Sequence, residues 1–310
     1  MNRRKFLKNS ILGAAGTLLI PRLTGSEDTF AITRPEYKPS PEEWSDDRIT
    51  ISWIGHATVL INFYGEWILT DPVFFERVGV YFLGATWGPT RYSYPALSIN
   101  EIPKPSLILL SHAHMDHTDY LTLRTITEKY PRQIDMITSY MSKDVTEDLK
   151  WKSVTEIDWG QSHQVRDVTV KAYEVNHFGW RFPWEKDRSR GFFKDGRSYN
   201  AYLIEKNGRK ILFGGDTAMT DRLDVLKYED VDVAIMPIGA YRPWRRVHCN
   251  PEEALIMADR IKAKHFIPIH CATFEQGREP KDEPLRWLRQ SAVNYNINLG
   301  LDNIGKTFVL

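Results

Sequence analysis

The sequence is poor in cysteine and has no excess of charge of either sign. Its cysteines are Cys249 and Cys271, and neither belongs to a C-x-x-C pair. Two cysteines exclude a framework of several disulfides, whether these two are free or joined in one bond. The chain has 41 Lys and Arg residues against 40 Asp and Glu residues, a net charge of +1. Because proteins dedicated to nucleic acids carry a clear basic excess, we expect no nucleic-acid partner.

Long hydrophobic runs are also missing. The longest uncharged apolar run, residues 11–20, is about half as long as the roughly 20 residues that a bilayer-spanning helix needs. This excludes a polytopic membrane protein. The chain has 310 residues, 42% of them apolar and 26% charged, which is the composition of a globular protein.

The amino-terminal segment, residues 1–25, is predicted to be a targeting signal rather than part of the fold. Arg3 and Arg4, followed by Phe6 and Leu7, resemble the twin-arginine signature. We therefore expect export of the folded protein to the periplasm or cell envelope of a bacterium. No small-x-small cleavage site is evident, so the segment is either removed at another bond or retained as an anchor. The plain alternative is a basic, apolar start with no targeting role.

The rest of the chain is predicted to be an arm followed by one domain. Residues 26–47 are rich in Pro, Glu, Asp and Ser, which is typical of an extended arm or linker, and no second change of composition follows over residues 48–310. Short apolar runs predict strands at residues 49–54, 58–63, 67–69, 107–110, 136–138, 168–175, 201–205, 210–213, 233–236 and 265–269. Helices are expected at residues 120–130, 142–149, 220–226, 251–261 and 284–291. This order favours a layered α/β protein with two sheets inside and helices outside.

The strongest chemical signal is the run S-H-A-H-M-D-H that follows the strand at 107–110. Imidazole and carboxylate groups on a turn fixed by a buried strand are metal ligands in many proteins. In an extended segment His112 and His114 point to the same side, and the turn after them lets Asp116 and His117 reach a second point a few ångströms away. One loop can therefore serve two metals.

Further ligands are found by the same rule, a His or Asp that comes after an apolar strand. His177 follows the strand at 168–175, and Asp216 and His270 follow two later strands. The glycines before Asp216 allow the backbone to approach the site closely. We predict two divalent metal ions; zinc suits this histidine-rich set best, with manganese and iron as alternatives.

Four other motifs accompany these ligands: W-I-G-H-A-T-V-L-I at 53–61, L-T-D-P-V-F at 69–74, P-I-G-A-Y at 237–241 and N-P-E-E-A at 250–254. With the histidine run, they resemble the metallo-β-lactamase-fold hydrolases over nearly all of residues 48–310. The resemblance extends to the branch that contains N-acylphosphatidylethanolamine-hydrolysing phospholipase D. It implies a four-layered αββα sandwich with a dinuclear site at one edge of the sheets.

The resemblance also implies roles for the candidate ligands. His112, His114 and His177 would bind one metal, Asp116, His117 and His270 the other, and Asp216 would bridge the two. Asp216 stands where a true β-lactamase is expected to have a cysteine, which argues against that activity. The implied reaction is hydrolysis of a phosphodiester in an N-acylphosphatidylethanolamine-like lipid. Hydrolysis of a lactone or carboxylic ester, and a metal-binding protein without catalysis, are the alternatives.

Candidate catalytic residues are Asp116, Asp216 and His248. The two carboxylates supply the negative charge that retains a metal pair. His248 resembles the histidine that precedes the Pro-Glu-Glu-Ala motif in the phospholipase branch, near the substrate; the alternative is an exposed loop histidine. His56 and Asp71 are predicted to orient ligand imidazoles, with a structural turn before Pro72 as the equal alternative for Asp71. Structural roles are expected for His163, His265 and both cysteines.

Residues 178–199 lie between two predicted ligands and hold seven aromatic and six basic residues against three acidic ones. This composition predicts a lid over a lipid-like substrate, with rings against acyl chains, cations near phosphate and peripheral contact with a membrane. A small-molecule substrate under a surface loop packed by its aromatics is the alternative. A second aromatic loop that could face this segment contains Tyr81, Phe82, Trp87, Tyr92 and Tyr94.

Overall fold

The computed structural model describes residues 31–310. In chain order the strands are β1 (Ile49–Gly55), β2 (Thr58–Phe63), β3 (Glu66–Thr70), β4 (Val80–Phe82), β5 (Ala85–Trp87), β6 (Leu107–Leu110), β7 (Asp135–Ser139), β8 (Ser153–Ile157), β9 (Ser162–Val165), β10 (Val168–Glu174), β11 (Asn200–Lys206), β12 (Arg209–Phe213), β13 (Val233–Pro237), β14 (His265–Ile269), β15 (Asn298–Leu299) and β16 (Thr307–Val309). The helices are α1 (Tyr120–Lys129), the short α2 (Tyr241–Trp244), α3 (Pro251–Arg260) and α4 (Glu283–Ala292). Short 3₁₀ helices cover Pro41–Glu43, Lys143–Val145, Arg188–Arg190 and Arg222–Tyr228.

Two seven-stranded sheets form the body of the domain. The first has the order β16-β1-β2-β3-β6-β7-β8, the second β15-β14-β13-β12-β11-β10-β9, and β4 and β5 form a separate hairpin. Alternate residues of β1 explain the stacking: Ile49, Ile51 and Trp53 belong to the core that joins the sheets, whereas Ile54 packs in the outer core of the first sheet.

Helices cover the outer faces. Leu123 and Ile126 of α1 pack into the outer core of the first sheet, and Leu255 of α3 and Leu288 of α4 pack on the second sheet. These layers confirm the predicted αββα sandwich. Both longer helices at the carboxyl end begin with a proline in the first turn, and Asn250 caps α3 in a reciprocal capping box with Glu253.

Two predicted helices were wrong. Residues 142–149 form only the 3₁₀ turn Lys143–Val145, and residues 220–226 give way to the 3₁₀ helix Arg222–Tyr228. Neither Ser142 nor Asp221 caps a helix with its side chain. The hydroxyl of Ser142 instead bonds that of Ser139, at 2.8 Å, so the local polar groups close turns rather than start an α-helix.

Strand directions bring one end of both sheets together. β1 and β3 are antiparallel to β2, and β6 is parallel to β3, so these three strands run the same way. In the second sheet β10 and β12 are antiparallel to β11, while β13 and β14 are parallel to β12. The carboxyl ends of these strands therefore share one edge of each sheet, and that is where ligands bind in many open sheets.

The described part of the arm, residues 31–47, lies against the domain. The backbone of Thr33 donates to the carbonyl of Tyr92 at 2.9 Å. Trp44 stacks on Trp67 of β3 with ring centroids 5.5 Å apart. In residues 31–310 no helix is both long and apolar enough to cross a bilayer. The predicted targeting signal lies outside the described residues.

Candidate metal centre

Each candidate ligand occupies a loop directly after a strand of the shared edge. In chain order these residues are His56 after β1, Asp71 after β3, His112, His114, Asp116 and His117 after β6, His177 after β10, Asp216 after β12 and His270 after β14. Both sheets therefore contribute side chains to one centre. All of the ligands predicted from sequence are brought together here.

The backbone is conformationally unusual at three of these positions. His56, Asp71 and His270 have φ angles of 52°, 34° and 61°, in the left-handed region that residues other than glycine rarely adopt. Each follows a strand end, where the chain must turn sharply to aim a side chain inward. Unfavourable backbone of this kind concentrates at functional sites.

Gly215 sets how closely the two sheets approach beside the site. It has a φ of +57°, and a Cβ at this position would lie 2.7 Å from the Cβ of Ser111. Any side chain would push the loop that carries Asp216 away from the loop that carries His112. The close approach that the glycine pair suggested is therefore present, and only glycine fits it.

The first cluster consists of His112, His114, His177 and Asp216, each of which offers a ligand atom within 4.8 Å of the others. The Nε2 of His112 lies 2.8 Å from the Nδ1 of His114, and the Nε2 of His177 lies 3.3 Å from the same atom. Three imidazoles and one carboxylate facing a common point form a donor set suited to a divalent transition metal.

The second cluster consists of His56, Asp116, His117 and His270, again within 4.8 Å of one another. The Oδ2 of Asp116 is at its centre, 3.0 Å from His56 Nε2, 3.4 Å from His270 Nε2 and 3.5 Å from His117 Nε2. Sequence reasoning assigned His56 an orienting role. The structure places its Nε2 among the donors of this cluster.

Asp216 links the clusters. Its Oδ2 lies 3.1 Å from the Nε2 atoms of both His117 and His270, and 3.9 Å from the Nε2 of His177. The same carboxylate thus faces histidines of both clusters. This is the position that a bridging ligand would occupy.

Unsatisfied buried atoms indicate that the centre is built for cations. The Nε2 of His117 and the Oδ1 of Asp216 are buried and have no hydrogen-bond partner among residues 31–310. Buried polar atoms without partners are costly, so they point to a ligand. The histidine and carboxylate donors could hold divalent metal ions: His112, His114 and His177 would contribute to one position, and Asp116, His117 and His270 to another.

Burial keeps the histidines of the first cluster neutral. It lowers the pKa of His112 well below the ordinary value, lowers that of His114 to about 3, and lowers that of His177 despite the attraction of Asp216. Neutral imidazoles have free lone pairs at neutral pH. They are therefore ready to bind a metal without first losing a proton.

Two of the three histidines of the second cluster have the opposite electrostatics, whereas burial lowers the pKa of the third, His56, to about 3. Burial opposes the protonation of His117 and His270, but the nearby carboxylates, with Asp216 foremost, outweigh it. The pKa of His117 is held well above its ordinary value, and that of His270 is raised to about 9. Burial also disfavours the charged forms of Asp116 and Asp216, yet the adjacent His117 lowers the pKa of both well below the usual range.

Asp71 accepts hydrogen bonds that orient one histidine in each cluster. Its Oδ2 accepts from the Nδ1 of His117 at 2.6 Å and from the hydroxyl of Ser111 at 2.5 Å, and its Oδ1 accepts from the backbone of Ser111 at 2.7 Å. The Ser111 hydroxyl also lies 2.9 Å from the Nδ1 of His112. One buried carboxylate thereby fixes the ring orientation of a histidine in each cluster, which agrees with the first of the two alternatives that the sequence left open for Asp71.

His248 lies at the open side of the centre. Its side chain is 12% exposed, whereas that of Asp216, 3.7 Å away, is 1% exposed. Its ring stacks on His270 with centroids 5.1 Å apart, and burial lowers its pKa well below the ordinary value. The same loop also orients the candidate metal ligand His177, because the Nδ1 of His177 donates to the carbonyl of Val247 at 2.8 Å.

Sequence reasoning missed two residues at this centre. Gln276 donates its side-chain amide to Asp116 Oδ2 at 2.5 Å from a loop after β14. The guanidinium of Arg181 donates to the carbonyls of Ala113 and Thr118, at 2.6 and 3.0 Å, and so braces the loop between them. Burial lowers the pKa of Arg181 only to about 10, so the group stays cationic at neutral pH. No pattern of apolar residues marks either position.

Residues 178–199 are anchored by three arginines. Arg181 holds the ligand loop, Arg188 lies 3.9 Å over the ring of Trp159, and Arg197 pairs with Asp144 outside the segment. The rings of Phe178 and Trp180 pack together beside the metal centre with centroids 4.8 Å apart, and the ring of Trp180 lies 6.2 Å from that of His114. The segment therefore forms a fixed wall of the site near its start.

Other residues weighed from the sequence lie outside both clusters. His163 approaches Thr155 at 3.4 Å, and His265 packs on Phe308. Cys249 and Cys271 are both free and buried.

Comparison with known proteins defines the class. A family model described as Beta-lactamase superfamily domain matches residues 66–271, which is most of the domain. The chain belongs to this family, as the sequence motifs indicated. It is a member of a superfamily of metal-dependent hydrolases, in agreement with its His and Asp clusters.

Particular relatives carry the comparison further. The chain is 29% identical to N-acyl-phosphatidylethanolamine-hydrolyzing phospholipase D 1 of Caenorhabditis elegans over 77% of this chain and 69% of the relative. It is 30% identical to the mitochondrial N-acyl-phosphatidylethanolamine-hydrolyzing phospholipase D of Saccharomyces cerevisiae, over 75% of this chain and half of the relative. A possible metal-dependent hydrolase from Veillonella parvula has a TM-score of 0.64 at 16% identity and covers 85% of this chain and 100% of its own, which shows the shared fold.

Proposed function

We propose that the protein is a dinuclear metal-dependent phosphodiesterase that hydrolyses an N-acylphosphatidylethanolamine-like lipid in the manner of a phospholipase D. The observation that carries the proposal is the pair of buried His/Asp clusters that meet at Asp216, with His248 on the open side. The names of the two phospholipase relatives support the choice of substrate.

Divalent cations bound in such a pair of clusters supply Lewis acidity to a phosphoryl oxygen and activate water near neutral pH. The chain's own residues orient and retain them. Asp116 and Asp216 provide negative charge, and Asp71 fixes two ligand rings from behind. His248, neutral and partly exposed, is placed to hydrogen-bond a group that enters from the open side.

Zinc is the metal that we propose for both positions. The two clusters together contain six imidazoles and two carboxylates. Such a donor set suits zinc better than it suits the harder magnesium and calcium ions. Metal analysis of the purified protein tests this directly. Manganese or iron as the only metal that supports turnover would contradict it.

The reaction is tested with a panel of substrates on the metal-loaded protein. A small soluble phosphodiester, an N-acylated phosphatidylethanolamine and several lactones are assayed while the bound metal is measured. We expect turnover of both diesters in proportion to bound metal and its loss on chelation. Turnover of lactones alone would establish the carboxylic ester alternative. Inactivity of metal-replete protein on the whole panel would favour a binding protein.

We also propose that residues 1–25 direct twin-arginine export to the periplasm or cell envelope. The support is the Arg3-Arg4 pair with Phe6 and Leu7. Replacing both arginines by lysine should retain the protein in the cytoplasm of a bacterial host. Unchanged export of that variant would show that another route is used.

A further inference from the structure

Large apolar side chains are exposed close to the metal centre. Within residues 31–310, half of those exposed to solvent belong to three loops, namely the β4–β5 hairpin, residues 178–199 and the turn at α2. We call these six side chains the aromatic rim: Leu83, Trp87, Trp184, Phe192, Phe193 and Trp244. Their exposed fractions run from 47% at Phe192 to 86% at Leu83. Large apolar groups this exposed, on loops at one edge of the molecule, are typical of a binding surface.

The three loops share the edge that carries the metal ligands. Residues 178–199 follow the carboxyl end of β10, and Trp244 follows the carboxyl end of β13. The base of the hairpin is fastened to the same edge: Arg77 bridges Thr90 on its two arms, and the next residue, Arg91, bridges Phe274, four residues after His270. The rim side chains therefore belong to loops at the edge of the sheets that also carries the metal ligands.

Exposed charge at this edge is mainly positive. Residues 178–199 and 241–247 expose six cationic side chains, which are Lys186, Arg190, Lys194, Arg242, Arg245 and Arg246. The exposed acidic side chain in these two segments is Asp195. Four of these cations form ion pairs, with Asp195, Asp187, Glu283 and Glu253, so the unpaired positive charge in these two segments, within residues 31–310, belongs to Lys194 and Arg246.

We infer that the aromatic rim is a docking surface for an anionic lipid bilayer. Tryptophan and phenylalanine insert favourably at the boundary between headgroups and acyl chains, and Lys and Arg beside them attract acidic headgroups. A bilayer can adapt to separate loop tips, which a rigid protein partner cannot. The inference deepens the proposed function and rests on it for its purpose, since docking would place the metal centre against the membrane that contains the lipid substrate.

Vesicle binding tests the inference without any turnover. The full-length, metal-loaded protein is sedimented with vesicles of phosphatidylcholine, with and without phosphatidylglycerol, that contain no N-acylated lipid. We expect binding to the anionic vesicles, and a loss of at least tenfold when Trp184, Phe193 and Trp244 are all changed to Ser. Reversal of two charges, in Lys194→Glu with Arg246→Glu, should abolish the preference for anionic vesicles.

A matched control uses apolar residues that are equally exposed elsewhere. Tyr228 and Val293 are 87% and 82% exposed, near the starts of β12 and β15 at the opposite edge. Tyr228→Ser with Val293→Ser should bind vesicles like the wild type. Equal binding by the rim variant, or an equal loss in this control, would overturn the inference. Rim-dependent self-association without vesicles would assign the rim to a second copy and would also overturn it.

A conservative variant guards against misfolding of the serine variant. Trp87, Trp184 and Trp244 are all changed to Phe, and quenching of tryptophan fluorescence by brominated acyl chains is measured on bound protein. We expect the variant to sediment with vesicles but to lose most of the quenching. Unchanged quenching would contradict insertion of the rim. Because these vesicles contain no substrate, inactivity in the substrate panel would count against the proposed function and not against docking.

Discussion

The two ligand clusters use the same kinds of side chain, but the protein holds them in different charge states. Histidines of the first cluster are kept neutral by burial, whereas His117 and His270 of the second are drawn towards the protonated form by Asp216, Asp116 and Asp71. The difference arises from where the carboxylates lie rather than from the ligand run itself. Two neighbouring clusters that share the loop of His112 and His117 can therefore differ in how readily they bind a metal.

The largest effect is expected from removing the residue that the clusters share. Asp216→Ala should lose metal from both clusters and lower phosphodiester turnover about a thousandfold or more, because a two-metal site stabilises the transition state by several kcal/mol. Metal content and turnover are measured together. Asp195→Ala removes an exposed carboxylate and is the control. An Asp216 variant that keeps one full metal equivalent would show that the clusters are independent.

Asp71→Ala should weaken both clusters by about 10- to 100-fold in metal affinity, since this is the usual cost of losing the partner that orients a ligand histidine. Asp71 acts on His117 directly and on His112 through Ser111. Competition with a chelator gives the affinities. A loss confined to the second cluster would show that Ser111 orients His112 without help.

Arg181→Met should weaken metal binding by about tenfold and lower the free energy of unfolding by about 1–3 kcal/mol, because the buried carbonyls of Ala113 and Thr118 lose their donor. Arg181→Lys can restore one of these hydrogen bonds and should be intermediate. Chelator competition and denaturant unfolding give the two quantities. Unchanged metal affinity in the methionine variant would limit Arg181 to a structural role in residues 178–199.

The smallest effect is a difference in pH dependence. With a pKa of about 9, His270 is protonated at neutral pH in the metal-free protein, so a metal entering the second cluster must displace its proton as well as that of His117. The His270 proton alone should lower the apparent affinity of the metal by up to about tenfold for each pH unit below 9. His114, with a pKa of about 3, imposes no such cost on the first cluster in the same range. Equal slopes in metal titrations at several pH values would contradict this contrast.

Most of the fold could be predicted from the sequence because buried strands have runs of apolar residues. Every strand predicted in this way is present, and the ligands follow from the rule that His or Asp comes after a strand. Strands β8 and β9 were missed because their sequences, S-V-T-E-I and S-H-Q-V, are polar and only partly buried. The short β15 and β16 and the β4–β5 hairpin are held by pairing rather than by apolar pattern.

Residues that act on the centre through long-range contacts could not be predicted. Arg181 reaches carbonyls 63 and 68 positions away, and Gln276 reaches a carboxylate 160 positions away. Arg and Gln in loops are common, and only the three-dimensional fold distinguishes these two. His56 is a similar case, because its place among the donors depends on how β1 lies beside the loop of Asp116.

The distribution of ligands over both sheets has a consequence for folding. His270 and Asp116 are 154 positions apart in the chain and belong to loops of different sheets. Such a centre exists only after the two sheets have docked, so its metals cannot nucleate folding as the zinc of a small finger domain does. Metals bound there would link the two sheets to each other after the sheets have docked. We therefore expect metal to slow unfolding much more than it speeds refolding.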